Sequence, residues 1–300
     1  MKLSDEVRRT LQDFGHETES LRHLPARRYD RTLFPTIGQY DWLSGKILYC
    51  LIRSLRPVRV IEVSTSSGYS SLFSAYALRA NGSGKLETYE FSETAARAAS
   101  ANFSRFGVAG HVNLHVGDAR KTACDLLQRR TRGEREVLFL DSEHTDSFAR
   151  WYLDAFLPDA HPESLLQVHD VLPAHATVKC RPLEAVTGKE SRWRMRAHAV
   201  LSRLLPRWTP DDRRRWVKPM PANAVLSSEA RMVLEMSREI PADEQLFVHD
   251  LLAERNDADD HAYDARSVWR CDAQGNPSEW NESWWVRCGV LRARWKERVQ

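Results

Sequence analysis

Cysteine is scarce in this chain: five in 300 residues, at Cys50, Cys124, Cys180, Cys271 and Cys288, odd in number and scattered. No two have the CxxC spacing, so neither a zinc site nor a disulfide framework is indicated, and a reducing compartment is expected. Long apolar runs are missing too. None approaches the roughly 20 residues that cross a bilayer, which argues against a membrane-spanning helix. The opening stretch MKLSDEVRRTLQDFGHE is charged throughout and has no apolar centre. No secretory signal is read there, and a cytoplasmic location is expected. Charge of one sign is not in excess: the net of +3 is too small to imply a nucleic-acid or membrane partner from totals alone. There is no internal repeat and no low-complexity tract.

What the chain does have is enough apolar content (42%) for a packed core and 28% charged residues, the balance of a soluble globular protein. Three hundred residues suit one α/β domain with elaborations. Residues 1–57 read as an N-terminal helical cap. A polar helix is expected over Ser4–Leu24, and a second over Ile37–Leu55, where Trp42, Leu43, Ile47, Leu48, Leu51, Ile52 and Leu55 recur at helical spacing before Pro57. From Val58 the period alternates. Strands are expected at Val58–Val63, Lys85–Phe91, His111–Val116, Glu136–Leu140 and Leu165–His169. Helices are expected at Tyr69–Ala80, from a Ser92 cap to Phe106, at Ala119–Arg130, and from an Asp146 cap to Pro158. Such alternation predicts a Rossmann-like, doubly wound, mostly parallel sheet over residues 58–174. Residues 175–264 read as a helical insert that would form a lid. Residues 265–300 carry Arg266–Cys271 and Ser283–Val290 around the turn-rich AQGNPSEWNE, an antiparallel hairpin expected to complete the far edge of the sheet.

Parallel sheets bind ligands at the carboxyl ends of their strands. The first strand runs straight into Glu62-Val63-Ser64-Thr65-Ser66-Ser67-Gly68-Tyr69-Ser70-Ser71 and then a helix. Small residues let backbone amides approach a ligand, and a helix N-terminus favours a carboxylate or phosphate. A dinucleotide fingerprint would need GxGxxG, and of those glycines only Gly68 is present. VIEVSTSSGYSS instead resembles the first motif of class I S-adenosylmethionine-dependent methyltransferases, E/D-x-G-x-x-x-G. The resemblance extends over Val58–Val171, with Glu90 in YEF, Asp118 in GDA, Asp141 in FLDSEH and His169-Asp170 in HDV at successive strand ends.

The resemblance implies a cofactor site for S-adenosylmethionine built from Glu62, Ser64, Thr65, Ser66, Gly68, Tyr69, Ser70, Glu90, Phe91, Asp118, Ala119 and Asp141. Glu90 would accept the ribose hydroxyls, Asp118 the adenine amino group, and Glu62 with the amides around Ser66–Gly68 would face the methionine end. Taken singly, Glu90 and Asp118 suit helix capping equally well; five motifs in order favour the cofactor. The family usually has glycine where Ser64 stands, and serine is accommodated if its φ is negative.

The sequence is also similar to the metal-dependent small-molecule O-methyltransferases, the group that includes the catechol and macrocin enzymes and relatives linked to cephalosporin hydroxylation. That likeness implies a divalent ion, Mg²⁺ or Mn²⁺, held by Asp141, His169 and Asp170. It implies catalysis by Asp141 with His144, three residues on, as general base. Asp170 can equally cap the next turn, and His144 can be a plain loop histidine. The expected activity is methyl transfer to a hydroxyl of a small molecule, a sugar or a secondary metabolite, by a homodimer. Two other readings stay open. Residues 179–218 hold twelve Lys and Arg against four acidic residues, interleaved with Trp193, Trp208 and Trp216, which would suit RNA or another anionic substrate. The acidic stretch 241–264 could neutralise it within the fold, and this favours no nucleic-acid partner. A binding module without turnover is the third. Trp193, Met195, Trp208 and Trp216 are candidate pocket walls or core. His249-Asp250 repeats the HD pair and reads as helix surface.

Overall fold

In chain order, α1 (Leu3–Phe14) runs into a 3₁₀ segment, Gly15–His23, and α2 spans Trp42–Leu55. The alternating part follows as β1 (Arg59–Val63), α3 (Tyr69–Asn81), β2 (Lys85–Glu90), α4 (Glu93–Arg105), β3 (Val112–Val116), α5 (Ala119–Thr122), α6 (Cys124–Arg129), β4 (Glu136–Leu140), α7 (Asp146–Phe156) and β5 (Leu165–His169). Beyond it lie β6 (Thr177–Cys180), β7 (Trp216–Pro219), α8 (Ser228–Ser237), β8 (Gln245–Phe247), β9 (Trp269–Cys271), β10 (Pro277–Trp280), β11 (Ser283–Arg287) and α9 (Cys288–Val299). The computed structural model describes residues 1–23, 40, 42–171, 177–180, 216–219, 227–248, 251, 269–271, 277–280 and 283–299. Most of the basic and acidic stretches, with Trp193, Met195, Trp208 and His249-Asp250, fall outside the described residues. No helix among the described residues is long and apolar enough to cross a membrane.

The seven-stranded sheet has the order β3-β2-β1-β4-β5-β11-β8. Its first five strands are parallel, and β11 is antiparallel to both β5 and β8. This is the expected doubly wound, Rossmann-like sheet with an antiparallel C-terminal edge. The composition of that edge differs from expectation. Among the described residues, only Ser283–Arg287 of the anticipated hairpin joins the sheet; Trp269–Cys271 pairs instead with Pro277–Trp280 in a separate ribbon. The outermost strand is Gln245–Phe247, from the stretch read as a helical insert. Three residues between turns have no period to read, and pairing to β11 decides their conformation.

Each face of the sheet packs a layer of helices. On β11 the pleat sends Trp284 to one side, among Tyr152, Phe156, Met232 and Leu291, and Trp285 to the other, among Leu48, Ile52, Phe73 and Leu78. Burying each such side chain stabilises by roughly 2–3 kcal/mol. Helices α2 and α3 approach so closely that a Cβ on Gly45 would stand 2.6 Å from the Phe73 ring. Local signals set the helix ends. Ser92 Oγ accepts from Ala95 N to open α4, and Gly82 closes α3 at φ 67°. Thr145, not Asp146, caps α7. The helix expected over Ala119–Arg130 breaks at Ala123 into two short pieces. The carboxyl ends of β1, β2, β3, β4 and β5 thus come to one edge, at Val63, Glu90, Val116, Leu140 and His169.

Candidate active site

The turn after β1 is stitched to the end of β2. The amides of Ser64 and Thr65 donate to Tyr89 O at 2.9 and 3.1 Å, and Gly68 N donates to Thr65 O at 2.8 Å. Ser66 N donates to Glu90 Oε2 at 2.6 Å. Gly68 sits at φ 87°, and a Cβ there would lie 2.8 Å from Phe103 Cε1, so both backbone and packing require glycine. Ser64 and Ser66 also adopt left-handed backbone, at φ 82° and 51°. Ser64 thus does not meet the condition, a negative φ, under which serine replaces the family's glycine without strain. The residue occupies a glycine conformation, at a cost of roughly 1–2 kcal/mol.

Glu62 is fully enclosed. Its Oε1 accepts from Ser70 Oγ at 2.5 Å, and its Oε2 from Ser71 at 2.5 Å and Thr88 at 2.6 Å. Thr65 Oγ1 meets Thr88 Oγ1 at 2.6 Å. Glu62 and Ser70 thus brace the turn from inside, and Tyr69 is buried edge-on against Phe73. Burial pushes the Glu62 carboxyl up to about 7, against the pull of the three hydroxyls and with a further push from Asp141.

Glu90 closes β2 with each oxygen accepting one amide, Oε2 from Ser66 and Oε1 from Ser92 at 2.8 Å. A carboxylate has about four acceptor sites, so each oxygen retains one. Beside it, Phe91 projects from the strand end, 78% exposed. One strand over, Gly117 N donates to Glu90 O at 2.8 Å. Asp118 then caps α5 through Arg120 N and pairs with the Arg120 guanidinium at 2.9 Å, which holds its carboxyl below the usual range. Capping is thus present at Asp118, and Ala119 is buried behind it. The structure brings Glu62, Ser64, Thr65, Ser66, Gly68, Glu90, Phe91 and Asp118 to one edge across three neighbouring strands.

The second cluster adjoins the first, since Asp141 N donates to Val63 O at 3.2 Å. Ligand atoms of Asp141, His144 and Asp170 lie within 4.8 Å of one another. His144 Nε2 stands 3.4 Å from Asp170 Oδ2 and 3.9 Å from Asp141 Oδ1. Its Nδ1 is 2.8 Å from Glu229 Oε2. His169 is placed differently from Asp170. It is buried, its Nδ1 2.9 Å from Ser283 Oγ and its ring against Tyr40, with Nε2 3.5 Å from Asp170 Oδ1. It is outside the group of three.

Glu229 escaped the sequence reading. It lies 85 residues from His144, in a helix with no motif around it. The start of α8 is docked on the 144–146 loop through Asp146 N to Ser228 Oγ at 3.0 Å and Glu229 N to His144 O at 3.4 Å. Burial lowers the His144 imidazole, but its hydrogen bond to Glu229 and the charges of Asp141 and Asp170 prevail and push it up to about 9. Burial raises Asp141 to about 6, tempered by His144. Glu229 is also raised by burial, tempered by the same histidine.

A parallel sheet of this order, with a small-residue turn after β1 and an acidic residue ending β2, is the arrangement expected of a class I methyltransferase domain. Comparison with known proteins agrees: residues 61–171 match the family of the methyltransferase domain. Over this segment the chain is similar to the class I S-adenosylmethionine-dependent methyltransferases. The chain is 30% identical over 105 residues to a catechol O-methyltransferase of Mycobacterium tuberculosis, covering 35% of this chain and 45% of that one. It is equally 30% identical over 105 residues to a caffeoyl-CoA O-methyltransferase of Stellaria longipes, covering 35% and 43%. The chain thus spans less than half the length of each of these relatives. Among solved structures, it aligns with the O-methyltransferase TomG of Streptomyces achromogenes in complex with SAM. There the TM-score is 0.47 at 17% identity, over 91% of this chain and 96% of that one.

Proposed function

We propose that the protein transfers the methyl group of S-adenosylmethionine to a hydroxyl of a small molecule, a sugar or a secondary metabolite, with assistance from a divalent metal. One observation carries the reading. The segment that matches the methyltransferase domain contains both the Ser64–Gly68 turn and the Asp141–Asp170 pair, and Asp141 N to Val63 O makes them neighbours. The residues fit the donor. Glu90 keeps acceptor capacity for two ribose hydroxyls, Phe91 offers an exposed aromatic face at the same strand end, and the start of α3, after the turn, would receive the methionine carboxylate. Asp118, already paired with Arg120, contributes at the adenine end through its position. The relatives whose names specify O-methylation support a hydroxyl as acceptor.

The residues also fit a metal, for two carboxylates and an imidazole converge within 4.8 Å. Mg²⁺ or Mn²⁺ held there would polarise and acidify the acceptor hydroxyl. Asp141 and Asp170 would hold the ion at the strand ends, beside the cofactor turn, so that the acceptor oxygen is brought to the methyl carbon in line with the sulfur. His144 is less suited to serve as base than its spacing implies. One ring nitrogen faces Glu229 and the other faces the two carboxylates.

Calorimetry with S-adenosylmethionine and S-adenosylhomocysteine, with Mg²⁺, Mn²⁺ or EDTA, tests the reading. The intact chain should bind both, and Glu90→Ala should weaken binding at least tenfold. A folded protein that binds neither overturns the proposal.

A further inference from the structure

The ring of His144 has both nitrogens committed. Nδ1 is fixed by Glu229 at 2.8 Å, and Nε2 stands 3.9 Å from Asp141 Oδ1 and 3.4 Å from Asp170 Oδ2. Ligands on a common ion with bonds of about 2.1 Å stand roughly 3 Å apart at right angles and roughly 4 Å apart across it. The separations of 3.4 and 3.9 Å fall in that interval. A carboxylate on the far nitrogen of a ligating imidazole is the usual means of fixing its tautomer and orientation.

Glu229 adds an independent sign. It is 1% exposed, and its Oε1 has no hydrogen-bond partner among the described residues. Enclosing a carboxylate beside two others is unfavourable unless positive charge, of a cationic ring or of an ion, is supplied at their centre. The backbone is strained at the same spot, with His144 at φ 52° and Asp170 at φ 60°, in a region that non-glycine side chains avoid.

We propose that His144 is itself a metal ligand through Nε2, that Glu229 is the residue that positions its ring, and that the site prefers Mn²⁺ or another first-row transition ion to Mg²⁺. The inference rests on the reading of Asp141 and Asp170 as metal-holding carboxylates and changes the third ligand from His169 to His144. The preference follows from donor chemistry: two carboxylate oxygens alone suit Mg²⁺, whereas an added imidazole favours the later ions.

The test is Mn²⁺ binding by the purified full chain, followed by electron paramagnetic resonance, with ¹⁴N modulation read from spin echoes. Expected is about one Mn²⁺ per chain, with ¹⁴N modulation that changes when the histidines are ¹⁵N-labelled. Mg²⁺ should compete at least tenfold more weakly. His144→Ala and His144→Gln should abolish the modulation and weaken Mn²⁺ binding tenfold or more. Glu229→Gln should weaken it by about 10–100-fold while the modulation persists at a shifted frequency, and Glu229→Asp should recover part of the loss. Circular dichroism and S-adenosylmethionine binding monitor the fold of each variant. Mn²⁺ bound without ¹⁴N modulation overturns the proposal and leaves the carboxylate metal site standing. Modulation that survives in His144→Ala also overturns it and returns the ligand role to His169. If neither Mn²⁺ nor Mg²⁺ binds while S-adenosylmethionine does, the proposal and the metal assistance fall and the methyl transfer remains.

Discussion

Thr88 Oγ1 donates to Glu62 Oε2 across 2.6 Å, so a hydroxyl on β2 closes onto a carboxylate on β1 that has no exposed surface. With Ser70 and Ser71 it makes the floor of the turn after β1. The floor keeps its proton to higher pH than an unfolded chain would, because burial raises the carboxyl from 4.5 to about 7.

The first prediction follows from that sign. Between pH 4.5 and 7 the folded protein binds a proton that the unfolded chain has released, so this group favours folding below the ordinary carboxylate range. That advantage is lost as pH rises through about 7. The span corresponds to roughly 3 kcal/mol. Glu62→Gln has no such proton to lose. Urea unfolding at a series of pH values should show the variant gaining on the wild type by up to about that amount between pH 4.5 and 7.5. A difference that stays flat across the range would refute the assignment.

Ser64 yields a second prediction. At φ 82° a serine bears the left-handed cost of roughly 1–2 kcal/mol, and glycine would relieve it while losing roughly 0.5–1 kcal/mol in chain entropy. Ser64→Gly should raise the thermal midpoint by about 1–3 °C, and Ser64→Val should lower it. Calorimetric affinity for S-adenosylmethionine should be equal or tighter in Ser64→Gly. A lower midpoint in the glycine variant would show that the serine side chain contributes contacts outweighing the strain.

The strand ends were legible in the sequence because a parallel strand buried on both faces reads as an apolar run, as in Val137–Leu140, and the polar residue that follows it marks the edge. Ser92 was legible as a cap because an Oγ three residues before a free amide has one obvious use. Glu62 was legible in position and not in surroundings. Its hydroxyl partners Ser70 and Ser71 follow 8 and 9 residues on, at the start of α3, but Thr88 comes from the neighbouring strand. The outer strand Gln245–Phe247 and the partner Glu229 were not legible. Both owe their roles to contacts across long sequence separations, and neither carries a period or motif of its own. The different placement of His144 and His169 was closed to spacing for the same reason. Adjacent residues in HD face different ways once β5 ends, and only the fold says which way.

Gly68 supports a third prediction, in two separable parts. Alanine there would have to keep φ 87°, and its Cβ would press on Phe103 Cε1 at 2.8 Å within a ring that is itself 3% exposed. Gly68→Ala should destabilise by about 2–4 kcal/mol, the sum of a backbone cost and an overpacking cost. Phe103→Leu in that background should recover the overpacking share alone. Urea unfolding of the two single variants and the double variant checks this. Full recovery would mean that the turn tolerates the backbone without strain.

The His144–Glu229 pair supports the last. In EDTA the imidazole is the positive charge among Asp141, Asp170 and Glu229, held as a cation by those neighbours up to about pH 9. Removing it leaves a carboxylate that is 1% exposed without compensation. Loss of one partner from an enclosed pair costs about 3–5 kcal/mol, and since His144 is itself 31% exposed we expect roughly 2–4 kcal/mol for His144→Ala at pH 7. At pH 5 the cost should shrink, because burial already raises Glu229 and lets it take up a proton. His144→Ala with Glu229→Leu should regain most of the loss, since a leucine of similar size needs no counter-charge. Urea unfolding of the four proteins at both pH values decides the matter. If the double variant is no more stable than His144→Ala, the charge at Glu229 is not what the histidine balances, and the contact is only one of packing.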